Sequence, residues 1–196
     1  MSVAVLILLA MFALSVVAFE KPSLREALLL NPYRVRRERR YYALLTSGFV
    51  HGDWLHLVFN AVAFYFFALP LERIVGAEKF LLIYFGSLLA SHVPDLATQS
   101  RNPNYRTLGA SGAISGAMFA YILHEPSSEI SAFLLPVAIP APIFALLYLA
   151  ISYYAAKQDA DDVNHNAHLW GALAGLCIAI ALDPSAISAF IARLLN

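Results

Sequence analysis

The chain has 196 residues, of which 60% are hydrophobic and only 13% charged. Soluble domains carry about 25% charged residues, so this composition excludes a water-clothed globule and makes lipid the natural solvent. A formal net charge of zero gives no electrostatic footprint for nucleic acid, and the single cysteine, Cys177, excludes an internal disulfide or a cysteine metal cluster.

A spanning helix needs roughly 20 apolar residues, so a chain of this length holds five to seven spans and reads as one membrane domain, residues 1–196. The first apolar run, 3–19, lacks a basic start and a small-residue cleavage site, and is expected to be a transmembrane helix rather than a signal peptide. A basic stretch, 20–40, follows, with Pro22 and Pro32 as breakers. The second span is expected over 54–71, the third over 80–93 with Pro94 closing it, and the fourth over 111–123. Pro136, Pro140 and Pro142 blur the start of the fifth run, so its regular helix is placed at 140–156. The sixth is expected over 167–182, ended by Asp183 and Pro184. The fold class is therefore an all-α membrane bundle of six helices. Its fourth is short, at about 20 Å by ~1.5 Å per residue, against a bilayer core of ~30 Å. Ser111 should thus start below one membrane surface, with the preceding loop dipping into a sheltered, wet cavity.

Polar groups inside spans are costly and mark function. Here they are His56 and Asn60 in the second span, Ser111 and Ser115 in the fourth, and His168 in the sixth. Each set lies at the start of its helix after an odd-numbered connection, so alternating spans deliver all of them to one face. His56 and Asn60 are spaced i,i+4 and share a helix face. Gly112 with Gly116, and Gly171 with Gly175, form small-residue faces that let helices approach closely. Packing the fourth helix on the sixth would bring Ser111 to His168. A serine hydroxyl needs a base to become a nucleophile, and histidine is the usual one. With no carboxylate inside the spans near this site, a Ser–His dyad is expected. His56, Asn60 and the Ser111 backbone N–H are the available oxyanion donors. Cys177 and His51 are expected to be structural, and His92, His124 and His165 to be interface or loop residues. The loop with Asp159, Asp161, Asp162 and His165 lacks an H-E-x-x-H pattern and reads as solvated, so no metal site is expected.

Gly109-Ala110-Ser111-Gly112 matches the G-x-S-G motif of rhomboid proteases. The run from Ala167-His168 through Gly171 to Gly175 matches their A-H-x-x-G-x-x-x-G motif, and His51, His56 and Asn60 resemble their H-x-x-x-x-H-x-x-x-N segment. Three motifs in family order, within a resemblance running from about Leu44 to Leu182, identify the chain as similar to rhomboid intramembrane serine proteases. The resemblance implies Ser111 as nucleophile, His168 as general base, and His56, Asn60 and the Ser111 amide as the oxyanion site. It implies cleavage of transmembrane or juxtamembrane segments of other membrane proteins, without metal or cofactor. Two positions depart from the pattern: Tyr42-Ala43 stand where many rhomboids have Trp-Arg, and Ser115 stands where some carry a tyrosine stacked on the histidine. Something else must therefore hold the His168 ring.

The family orientation puts the loops after spans one, three and five, and with them the active site, outside the cytoplasm, in the inner or plasma membrane if the source is bacterial. The charge count opposes it. Lys21, Arg25, Arg34, Arg36, Arg37, Arg39, Arg40, Arg101, Arg106 and Lys157 lie on that side, and only Arg73, Lys79 and Arg193 on the other. The family orientation is preferred, with the first loop lying flat among headgroups. The oligomeric state is not legible. On sequence alone, a non-catalytic rhomboid-like protein that binds clients and a small transporter or channel stay open as alternatives.

Overall fold

A computed structural model describes residues 2–131, 138–158 and 163–195. The apolar run at the start forms α1 (Val3–Glu20). Its first N–H groups have no partners within the helix, and the Glu72 carboxylate supplies them, accepting from Val3 N–H at 2.8 Å and Ala4 N–H at 2.9 Å.

The basic stretch, where Pro22 and Pro32 read as breakers, folds into short helices. Pro22 and Pro32 sit in the first turns of α2 (Pro22–Leu28) and α3 (Pro32–Glu38), where a missing N–H costs nothing. Asn31 caps α3 by accepting from Arg34 N–H, and Arg39 ends it in a left-handed conformation at φ 57°. Helix α4 (Ala43–Thr46) follows and runs into a 3₁₀ turn, Ser47–Phe49.

Asp53 caps α5 (Trp54–Ala63), which passes through a π-helical turn, Phe64–Ala68, into α6 (Leu69–Val75). Pro70 supplies no N–H to the ladder there, which fits the local widening. The expected second span is therefore longer, ending at Gly76 (φ 81°) rather than at residue 71. The third is longer too. Helix α7 (Ala77–Ser91) continues almost directly into α8 (Val93–Thr98), because Pro94 occupies a first turn instead of closing the span.

Helix α9 (Ser111–His124) matches the expected short helix. A two-stranded hairpin, β1 (Glu129–Ser131) against β2 (Ala138–Pro140), precedes α10 (Ala141–Gln158), and 132–137, including Pro136, fall outside the described residues. Helix α11 (His165–Leu182) and a further α12 (Ser185–Leu195), unforeseen in the sequence, complete the order.

Among the described residues, four stretches are long and apolar enough to cross a bilayer: Val3–Glu20, Trp54–Val75, Ala77–Thr98 and His165–Leu182. Helix α9 falls short in length at 14 residues, and α10 dilutes its apolar run with three tyrosines, Lys157 and Gln158. The centre of the bundle is α9, buried from Gly112 to Leu123 except at Tyr121. A helix apolar all round in this way belongs inside a bundle. Outer helices expose Leu6, Leu9, Phe12, Leu146 and Ile151 as a lipid-facing belt. Cys177 belongs to that belt. It is exposed rather than buried, because it lies off the α11 face formed by Gly171, Ala172, Gly175 and Ala179.

That face is in backbone contact with α9. A Cβ on Gly171 would collide with the Gly112 carbonyl, and one on Gly175 with the Gly116 backbone. On the other side of α9, a Cβ on Gly112 would lie 2.5 Å from the Ser91 side chain of α7, so three helices meet on small residues.

Candidate functional site

The helix contact that excludes any side chain at Gly112 and Gly171 fixes the neighbours of those glycines. Ser111 begins α9, and His168 lies one turn before Gly171 on α11. Both line one cavity of about 1150 Å³, together with His56, Asn60, Ser115 and Tyr148. All five polar residues expected to converge do so.

Three backbone anchors hold the loop that delivers Ser111. Leu30 and Thr107 pair in both directions, at 2.9 and 3.0 Å. Gly109 N–H donates to the Ser47 carbonyl at 2.9 Å, and Ala110 N–H reaches His51 Nε2 at 3.5 Å. Gly109 adopts φ 114°, which favours glycine. A Cβ there would also stand 2.7 Å from His56 Nε2, so glycine lets the His56 ring close over the loop beside Ser111. As the first residue of α9, Ser111 presents an N–H with no partner within the helix, at the positive end of the helix dipole.

His56 is set by α5, whose cap Asp53 accepts its N–H at 2.8 Å. One turn on, buried Asn60 donates from Nδ2 to the His56 carbonyl at 2.9 Å. This fixes the amide and leaves a second Nδ2 proton, while Oδ1 is buried without a partner among the described residues.

His51 is fully buried and packs edge-on against His56, with centroids 4.9 Å apart. Its Nε2 accepts from Ala110, so its Nδ1–H donates to Ser15 Oγ at 2.9 Å, and Ser15 passes its own proton to the Phe49 carbonyl at 3.1 Å. The network needs a neutral ring. Burial, and then the neighbouring His56, push the imidazole down to about 3 from its usual 6.5. This contribution to stability is fully present above pH 6.5 and fades as pH falls towards 3, by up to about 1.4 kcal/mol per pH unit. The melting temperature in detergent should therefore fall between pH 7.5 and 5, and a His51→Gln variant should fall less steeply. Equal slopes for the two proteins would remove His51 as the titrating group.

His168 is held from two directions. Asn164 caps α11 by accepting Ala167 N–H at 3.0 Å, and its Nδ2 donates to Asp95 Oδ2 at 2.7 Å. The tyrosine missing at position 115 is replaced in space. Tyr148 of α10 stacks on the His168 ring, with centroids 6.2 Å apart and planes 24° apart. The Tyr148 hydroxyl lies 2.5 Å from Ser115 Oγ, which also donates to the Ser111 carbonyl at 2.8 Å. The His165 ring meets His168 edge-on at 5.8 Å.

Three expectations need correction. A carboxylate does lie inside a span near the site: Asp95, in the Ala77–Thr98 stretch, is buried, lines the same cavity and holds the Asn164 cap. His92 is not an interface residue but is buried, with Nε2 3.3 Å from Ser47 Oγ. His165 is not a free loop residue, since it opens α11 and lines the cavity. Asp159, Asp161 and Asp162 lie outside the described residues.

A bundle of apolar helices around a polar cavity, with a lipid-facing belt outside, defines an integral, multi-pass membrane protein. Within that class the chain belongs to the rhomboid family, whose Rhomboid domain pattern matches residues 38–184. It is similar to the Rhomboid protease GluP of Bacillus subtilis, at 30% identity over 156 residues, covering 80% of this chain and 29% of that protein. It is similar to RHOMBOID-like protein 12, mitochondrial, of Arabidopsis thaliana, at 30% over 150 residues, covering 68% of this chain and 44% of that one. It is also similar to Presenilin-associated rhomboid-like protein A, mitochondrial, of Danio rerio, at 31% over 142 residues, covering 70% and 36%. The chain thus spans less than half the length of these relatives.

Proposed function

We propose that the chain, as one membrane domain, is an intramembrane serine endopeptidase acting on transmembrane or juxtamembrane segments of other membrane proteins. The observation that carries this reading is the convergence of Ser111 and His168 on one cavity, through two helices in backbone contact. His168 takes the Ser111 proton as Oγ attacks the scissile carbonyl. The oxyanion is held by the Ser111 N–H, His56 and the second Nδ2 proton of Asn60. Collapse expels the amine with the proton from His168, and water then hydrolyses the acyl-enzyme by the same route. Water reaches the cavity from the side of the loops that carry the first-turn residues, read as extracytoplasmic.

A fluorophosphonate probe tests the assignment. Purified protein should be labelled, and Ser111→Ala should not. Labelling that persists in the variant rejects Ser111, and a wild type that resists the probe favours a client-binding, non-catalytic role.

Tyr148 is a positioning residue in this scheme. An aromatic contact contributes about 0.5–1.5 kcal/mol, and a misplaced base costs up to ~10²-fold. Tyr148→Ala should lower kcat by about 10- to 100-fold with KM little changed, and Tyr148→Phe, which keeps the ring, should lose less. Equal losses in the two variants would assign the effect to the Ser115 hydrogen bond instead of the stack.

A further inference from the structure

The proposed chemistry uses none of the basic residues crowded into the first loop. Some are explained locally. The Glu26 carboxylate is taken by Arg34 at 2.9 Å and Arg106 at 3.1 Å, and Glu38 by Arg40 at 2.7 Å. Two more gather in space with a third arginine from a later loop. Arg36 and Arg37 of α3 and Arg101 of the loop after α8 surround a separate pocket of about 400 Å³, with Tyr33 and Ser100 completing its lining. Among the described residues none of these three guanidinium groups has a carboxylate within 4.0 Å. Their internal contacts are with neutral groups. Arg36 Nη1 donates to Ser100 Oγ at 3.4 Å, leaving that hydroxyl's proton free to donate, and the Arg37 guanidinium stands 6.0 Å from the centroid of the Tyr33 ring.

Three like charges around one hollow repel each other unless an anion lies between them. Guanidinium forks match the oxygens of a phosphate group, and a hydroxyl donor adds to such a cradle. Its surroundings point to a membrane surface: the chain just beyond α3 exposes Tyr41 and Tyr42, whose amphipathic rings favour the headgroup level. We propose that this pocket binds a phosphate group, that of an anionic phospholipid headgroup. The proposal stands independently of the protease reading. It also gives a physical reason for arginines gathered on the side that the positive-inside rule would leave poor in them, because basic clusters beside membrane helices hold anionic headgroups.

Native mass spectrometry of the full chain in detergent, titrated with phosphatidylglycerol or phosphatidylcholine, tests it. Wild type should retain phosphatidylglycerol in preference. The variant Arg36→Gln/Arg37→Gln/Arg101→Gln should bind it at least about tenfold more weakly, since charge-assisted hydrogen bonds are the strong ones. Arg40→Gln, which alters an arginine already paired to Glu38, should bind as wild type does. Arg101→Gln alone should weaken binding about threefold, and it serves if circular dichroism finds the triple variant misfolded. Displacement of the lipid by millimolar inorganic phosphate supports the pocket with free phosphate as a ligand, and resistance to displacement supports the headgroup as its source. Unchanged phosphatidylglycerol binding in both the triple and the single variant overturns the proposal.

Discussion

Replacing either Ser111 or His168 by alanine should lower kcat for a model transmembrane substrate by at least about 10⁴-fold, with helical content unchanged. The size follows from the chemistry: without its base the hydroxyl stays protonated, and without the hydroxyl there is no nucleophile to activate. The two losses should not add in the double variant, as the proposed dyad requires of residues that act as one unit. Substitutes are poorly placed. Ser115 Oγ also lines the cavity, but it is tied to the Ser111 carbonyl at 2.8 Å and to the Tyr148 hydroxyl at 2.5 Å. Ser91 Oγ donates to the Leu88 carbonyl at 2.7 Å. Alanine at Ser111 or His168 only removes atoms beyond Cβ, so the backbone contact of Gly112 with Gly171 stays intact. Mass-spectrometric mapping of the cut site in a reconstituted assay is the measurement. Cleavage by Ser111→Ala above about 1% of wild type would move the nucleophile elsewhere.

The candidate site is more legible in the sequence than the scaffold packed around it. Intramembrane polar residues are few, and each must be explained, so Ser111, His168, His56 and Asn60 stood out by cost alone. The glycine pairs told which helices touch, because a four-residue spacing of small residues means little except close approach. Tyr148 carried no such signal. A tyrosine in an apolar helix is ordinary, and only the three-dimensional path of α10 turns its ring onto His168. Asp95 and Asn164 were hidden for a related reason: each reads as a polar residue at a helix end, and their 2.7 Å bond joins segments 69 positions apart. Element ends differ from the sequence expectation at prolines, which read as stops. Pro94, Pro22 and Pro32 all begin helical turns instead. The amphipathic α12 and the short helices of the first loop contain no long apolar run, so in the sequence their polar faces read as connecting loop.

Asn60→Ala should lower kcat by about 10²–10³-fold while leaving KM within a few-fold, the loss expected when one preorganised donor leaves an oxyanion site. The geometry separates this from a general loosening. Nδ2 already donates one proton to the His56 carbonyl at 2.9 Å, inside a single helix turn, so the α5 ladder needs nothing more from this side chain. Removing it also removes the unpartnered, buried Oδ1, which costs the folded state rather than stabilising it. The melting temperature should therefore hold or rise while turnover falls, a split that a packing role would not give. Asn60→Asp sharpens the test. A carboxylate of nearly the same shape would set negative charge beside the developing oxyanion, and it should be at least as damaging as alanine at neutral pH. Should Asn60→Ala turn over as wild type does, the oxyanion would rest on His56 and the first amide of α9 alone, and Asn60 would be a helix-packing residue whose second proton points at nothing that reacts.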